Sequence, residues 1–102
     1  MRFVLVAGLV LLLAPPLSAS GDELGKKVFT QIAQPSCAIC HTLKAAGAVG
    51  TIGPSLDELK PDKARVRDAV HNGVGVMPPF ADKLTPEQIE AVIAFVAKSA
   101  GR

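Results

Sequence analysis

The sequence has no apolar run of bilayer-crossing length, no internal repeat, no low-complexity stretch and no alternating segment long enough to seed a sheet. Tryptophan and tyrosine are absent, cysteine occurs twice, and charge of neither sign is in marked excess. These absences remove whole classes. The longest apolar stretch, Phe3 to Leu13, covers 11 residues, or 15 when carried through the prolines to Leu17, whereas a transmembrane helix needs about 18. A net charge of +2 over 102 residues implies no nucleic-acid partner. The length bounds the chain to one domain.

What is present begins with a processing signal. Arg2 precedes the run Phe3 to Leu13, and Ala14-Pro15-Pro16-Leu17-Ser18-Ala19-Ser20 supplies the small residues that a signal peptidase reads. Residues 1–20 are therefore expected to be a cleaved secretory signal; a membrane anchor is the alternative, and the short run argues against it. The first cysteine stands well past the cleavage region, so none occupies the acylation position of a bacterial lipoprotein. Cleavage leaves residues 21–102, 82 in number, and the loss of Arg2 lowers the net charge to +1. The mature domain is expected to be soluble and periplasmic or otherwise secreted. A domain of that size buries a modest core and usually needs a covalent, metal or cofactor staple. Cys37 and Cys40 are the covalent candidates.

The periodicity is helical, joined by loops rich in glycine and proline. A first helix is expected from Asp22 to about Ala33, with Leu24, Val28, Phe29 and Ile32 on one face and Pro35 ending it. From Ala45 to Leu56 runs an uncharged loop containing Gly47, Gly50, Gly53 and Pro54. A middle helix fits Asp62 to Asn72, with Asp62 as N-cap, Val66, Ala69 and Val70 inward and Gly73 as a left-handed stop. A second uncharged loop, Asn72 to Ala81, leads to the last helix. There Thr85 and Gln88 form a capping box, Pro86 takes the first helical position, and Ile89, Val92, Ile93, Val96 and Ala100 recur at helical spacing.

The chemistry is concentrated in Cys37-Ala38-Ile39-Cys40-His41. Two thiols three residues apart on a helical turn can add to the two vinyl groups on one edge of a haem, and a histidine directly after the second lies beneath the iron. Three other readings compete. A thioredoxin-type dithiol needs a strand-to-helix setting that Pro35-Ser36 and the lack of strands do not supply. A disulfide closing so small a loop gains little entropy. Zinc needs four ligands, and these cysteines, His41 and the distant His71 are the only such side chains on offer.

The mature chain resembles the class I c-type cytochromes along its whole length. The resemblance rests on Gly25 and Phe29, the segment Cys37 to His41, Gly53-Pro54-Ser55-Leu56, the loop Asn72-Gly73-Val74-Gly75-Val76-Met77-Pro78, and Leu84 to Ala100. It implies an all-α fold of three to four short helices wrapped around one covalent haem c, with the first and last helices crossing near Gly25, Phe29 and Phe95. It also implies that the Pro54 carbonyl accepts the other ring N–H of His41, orienting that ligand. In many relatives a tryptophan or tyrosine bonds a haem propionate; here backbone amides, Ser, Thr, Lys or Arg, or water, must do so.

Met77 is the methionine that remains after Met1 leaves with the signal, and it stands in a proline-bounded loop rather than on an apolar helical stripe. That placement favours it as the second iron ligand opposite His41, a soft thioether that raises the reduction potential. His71 is the rival, though its place at a helix end suits an exposed cation. His/Met ligation implies single-electron carriage between redox proteins. The chain is then no enzyme by itself, whereas a haem-based enzyme or sensor would need an open iron site. A variant of this reading is the dedicated electron-accepting subunit of one periplasmic dehydrogenase; the small size and the loop Gly73 to Pro79 resemble the cytochrome partners of secreted molybdenum sulfite dehydrogenases, and many free carriers as well. The loops expected around the haem edge carry no Asp, Glu, Lys or Arg, so Ile39, Val49, Val76, Pro79 and Phe80 are expected to form an apolar docking patch, with Lys44 and Lys83 at its rim. The alternative is that Val49, Val76 and Phe80 turn inward onto the porphyrin.

Overall fold

The computed structural model describes Phe3, Val4 and residues 7–9 and 20–102; the expected signal, residues 1–20, falls mostly outside the described residues. Five α-helices occur among the described residues: α1 Ser20–Lys27, α2 Cys37–Cys40, α3 Leu56–Leu59, α4 Lys63–Asn72 and α5 Pro86–Ser99. None is long and apolar enough to cross a membrane.

Helix α5 organises the core because its start is closed and one face is apolar. The Thr85 hydroxyl accepts the Gln88 N–H (3.2 Å) and the Gln88 side chain accepts the Thr85 N–H (2.9 Å), satisfying two amides that a helix start leaves unpaired. Ile89, Val92, Ile93, Phe95 and Val96 are buried. Helix α1 packs across α5, and α4 lies against another part of it. At the α1–α5 crossing a Cβ on Gly25 would overlap the Ala91 carbonyl oxygen and the Phe95 side chain, so only glycine permits the approach. Just beyond, the Phe29 and Phe95 rings meet edge to face, with centroids 6.3 Å apart at 65°. An exposed Lys98–Asp22 ion pair (2.7 Å) also joins the two helices, an interaction worth about 0–1 kcal/mol.

The expected first helix changes character partway. After Lys27 it widens into a π-helical turn, Val28–Ile32, closed by the Ala33 N–H on the Val28 carbonyl (3.0 Å). The wider turn brings the adjacent side chains Val28 and Phe29 to full burial together. Ser36 then donates its hydroxyl to the Phe29 and Thr30 carbonyls (3.0 and 3.2 Å), which the end of the turn leaves open.

Helix α4 begins as expected, with the Asp62 carboxylate accepting the Arg65 N–H (2.8 Å), and Val66 and Val70 are buried. Its end requires a correction. Gly73 has φ +73° but ψ 168°, outside the left-handed helical basin and in a region open essentially to glycine alone. Two further features differ from expectation. The loop after the cysteines contains a minimal antiparallel ladder, β1 Thr42–Leu43 with β2 Ala48–Val49, paired Thr42 to Val49 and Leu43 to Ala48. Strands of two residues are too short to show an alternating pattern. Helix α3 is likewise a single turn, capped by Ser55.

Asp57 in α3 joins segments distant in sequence. One carboxylate oxygen accepts the Lys44 N–H and the other the Gly101 N–H, both at 2.8 Å. These bonds, that from Gly101 foremost, hold its carboxyl below the usual aspartate range. A depressed folded-state pKa contributes stability above the unfolded value near roughly 4 and loses it as pH falls through the folded value. We therefore expect Asp57→Ala to destabilise the haem-loaded protein at pH 7, and the difference from the parent to shrink as pH is lowered from about 6 to 3. Chemical denaturation at each pH measures it; a difference independent of pH would contradict the assignment.

Candidate functional site

A one-turn helix places the two thiols together. Ser36 caps α2 by accepting the Ala38 N–H (3.3 Å), and spacing of three along a helix sets Cys37 and Cys40 on one face. Both are free, and both line the same cavity. Burial pushes the Cys37 thiol up to about 11, opposed by a backbone hydrogen bond and assisted by Cys40. A thioredoxin-type nucleophile needs the reverse, a lowered thiol pKa. A protonated thiol carries both the sulfur and the hydrogen that addition across a vinyl group consumes. Among the described residues no cluster of three His, Cys, Asp or Glu side chains could hold a metal ion, which disposes of the zinc reading there.

His41 follows at the end of α2 and lines the cavity with the cysteines. Its Nδ1 lies 2.8 Å from the Pro54 carbonyl oxygen. A carbonyl can only accept, so Nδ1 carries the proton and Nε2 keeps its lone pair for a metal. The backbone is shaped to hold this contact. The Gly53 N–H bonds the Cys40 carbonyl (2.7 Å), and the Thr42 hydroxyl bonds the Gly50 carbonyl (2.8 Å). A Cβ on Gly53 would sit 2.7 Å from the His41 ring carbon Cε1, so the ring approaches the glycine more closely than a side chain there would allow.

The second uncharged loop closes the cavity from another side. Val74 and Met77 exchange backbone hydrogen bonds (3.1 and 2.9 Å), and the Phe80 N–H returns to the Val70 carbonyl (2.8 Å). This tight loop brings Met77 to the cavity wall, half-buried. His71 is not there. It faces a separate shallow cleft beside Arg67 and Asp68.

The cavity encloses about 370 Å³. Phe29, Val66, Val70, Phe80, Val92 and Val96 supply much of its wall, so a planar apolar group with a metal at its centre fits both wall and donors. Three residues assigned to the surface patch do not behave alike. Val49 and Val76 are 82% and 90% exposed, but Phe80 is 4% exposed and turns inward, a correction to its place in the patch. The Phe80 N–H bonds the Val70 carbonyl of α4, which holds this part of the loop against that helix, and the side chain is buried in the core. Ile39, Ile52 and Val74 are exposed as well; Ile52, Val74 and Val76 also line the cavity, and Ile52 and Val74 were missed because nothing in a loop sequence marks which apolar residues border it.

The two-thiol turn, the oriented histidine and the apolar cavity together define a c-type cytochrome fold. The chain belongs to this family: residues 22–96 match the model for cytochrome c oxidase, cbb3-type, subunit III. It is 34% identical to cytochrome c6 of Bryopsis maxima, over 78% of this chain and 93% of that one. Cytochrome c6 of Rippkaea orientalis is 33% identical, over 96% of this chain and 88% of the relative. Among solved structures, the c-type cytochrome SorU of Sinorhizobium meliloti superposes with a TM-score of 0.78 and 51% identity, covering 81% of this chain and 94% of that one. The chain is accordingly a small electron carrier rather than an enzyme, and its cofactor is covalent haem c at the motif Cys37-Ala38-Ile39-Cys40-His41. When bound, the haem supplies a one-electron couple at iron.

The cavity walls come from α4, α5, the π turn and both loops, so without haem the core loses the surface on which these elements meet. The doubly substituted Cys37→Ala/Cys40→Ala protein is expected to lose most helicity and its cooperative melt. Far-ultraviolet circular dichroism with thermal unfolding measures this, and native-like helicity in that variant would show that the polypeptide supports itself.

Proposed function

We propose that this cytochrome is a periplasmic single-electron carrier in which Cys37 and Cys40 form the thioether links, His41 and Met77 ligate the iron, and the Pro54 carbonyl orients His41. The observation that carries the ligand assignment is the placement of Met77 and His41 on the walls of one cavity, with His71 on another face. A filled sixth position suits electron carriage, because no bond need form or break when the oxidation state changes. Residues 1–20 act as the export signal in this reading, leaving 21–102 as the mature domain. The partners are redox proteins that meet an uncharged face around Ile39 and Val49, exposed residues outside the cavity lining.

The dedicated acceptor of one periplasmic dehydrogenase is a second reading. What supports it is the resemblance of the loop Gly73 to Pro79 to the cytochrome partners of secreted sulfite dehydrogenases. Reduction of the purified protein by candidate dehydrogenases, compared with photosynthetic or oxidase partners, separates the two.

Two measurements test the proposal. The oxidised protein should show the weak near-infrared band that accompanies iron–thioether bonding, and Met77→Ala should remove it; persistence of the band in that variant would make Met77 the wrong ligand. Electron transfer to the physiological partner should slow less than about tenfold between 20 and 200 mM salt, because screening acts on charges that this face lacks. Stopped-flow rates across the series decide it, and a hundredfold fall would place docking on the lysine and arginine side chains.

A further inference from the structure

We propose that Arg65 receives a haem propionate and that its charge helps to set the reduction potential, an assignment resting on the haem reading of the cavity. Haem propionates are carboxylates, and placing one at the edge of an apolar cavity costs free energy unless a donor or cation meets it. With no tryptophan or tyrosine in the chain, that partner must come from elsewhere.

The cavity lining narrows the choice. Its polar side chains are Ser36, Cys37, Cys40, His41 and Arg65. The Ser36 hydroxyl already donates to the Phe29 and Thr30 carbonyls, the cysteines are the attachment points, and His41 Nδ1–H is engaged by Pro54. Arg65 is the one charged residue in the lining. Its guanidinium takes part in neither ion pair seen among the described residues, Arg67–Glu90 and Lys98–Asp22. Its backbone is fixed in the first turn of α4 by the Asp62 cap, which places it at the cavity rim. Lys60, the neighbouring cation, packs beside Gly101 instead. A guanidinium offers a planar fork of N–H donors that matches a carboxylate, and it stays charged across the physiological range.

The redox consequence follows from charge alone. Reduction removes one positive charge from the haem, so a nearby cation favours the reduced state and a propionate anion the oxidised state. Pairing the two keeps the potential high and holds the propionate ionised. The other titratable groups on the surrounding elements are Asp57 and Glu58 on α3, Lys60, Asp62 at the start of α4, Lys63, Arg67, Asp68 and His71 on α4, and Glu87, Glu90 and Lys98 on α5. Asp57 and Asp62 are committed to backbone amides. All but Arg67 remain in every variant below, and Arg67 is paired with Glu90 outside the cavity lining, so the comparison with its variant isolates Arg65.

The experiment is a spectroelectrochemical titration of the purified haem-loaded protein from about pH 5 to 9. It compares the parent with Arg65→Gln, Arg65→Lys and Arg67→Gln, the last removing a charge from the same helix outside the cavity. Arg65→Gln should favour the oxidised form several-fold more than Arg67→Gln does, and should move the redox-linked ionisation up by about one pH unit, a tenfold gain in proton affinity. Arg65→Lys should restore part of both effects, and it carries the test if the glutamine variant fails to accumulate. Equal effects of Arg65→Gln and Arg67→Gln, with an unchanged pH profile, would overturn the proposal and leave backbone amides or water as the propionate partner. Absence of covalent haem from the parent on a haem-stained denaturing gel would instead overturn the reading of the cavity itself.

Discussion

The hydrogen bond between His41 Nδ1–H and the Pro54 carbonyl, 2.8 Å long, ties the thiol-bearing turn to the loop that follows it. It selects the ring tautomer, fixes the ring plane and leaves one nitrogen lone pair for iron. Much of the neighbouring backbone serves that contact. Gly53 lies close against the ring, its N–H is held by Cys40, and the short β1–β2 ladder brings the loop back over α2. Asp57 then anchors the same region to the C-terminus through two amides.

A protein built around a cofactor divides its apolar residues between two tasks. One set packs against other side chains: Val28, Leu43, Ile93 and the Phe29–Phe95 pair are buried in the polypeptide core. A second set, including Val66, Val70, Phe80, Val92 and Val96, lines the cavity. Phe29 belongs to both, and so connects the helix crossing to the haem site. This division explains why a domain this small can fold around an interior space: the haem takes the place of the missing core.

Charge is distributed with the same economy. The two loops around the cavity carry no ionisable side chain, while lysines and arginines occur on the helices and their connections. An uncharged face suits brief encounters between redox proteins, which bury little surface and must release quickly. The exposed isoleucines and valines beside the cavity fit that use. Their prominence contrasts with Phe80, which lies in the same stretch of sequence but is fixed inward by the return of its backbone to Val70.

Local rules made several elements legible from the amino-acid order. Thr85 with Gln88, Pro86, and Asp62 before α4 are capping interactions within three residues of one another, so α4 and α5 start where the sequence places them. The pentapeptide from Cys37 to His41 is similarly local, and it identified the cofactor chemistry. The π turn, the two-residue strands and the ψ of Gly73 were not legible, because each is imposed by contacts with segments elsewhere in the chain or by the close approach of Met77 and Pro79. The pairing of His41 with Pro54 is implied by the family resemblance, and the fold holds the two 2.8 Å apart. Tertiary structure alone decided that Met77 shares a cavity with His41 while His71 does not, that Phe80 is buried while Val49 stands exposed outside the cavity, and that Arg65 reaches the rim. Those outcomes depend on how α4, α5 and two irregular loops meet in space, a relation that no spacing along the chain encodes.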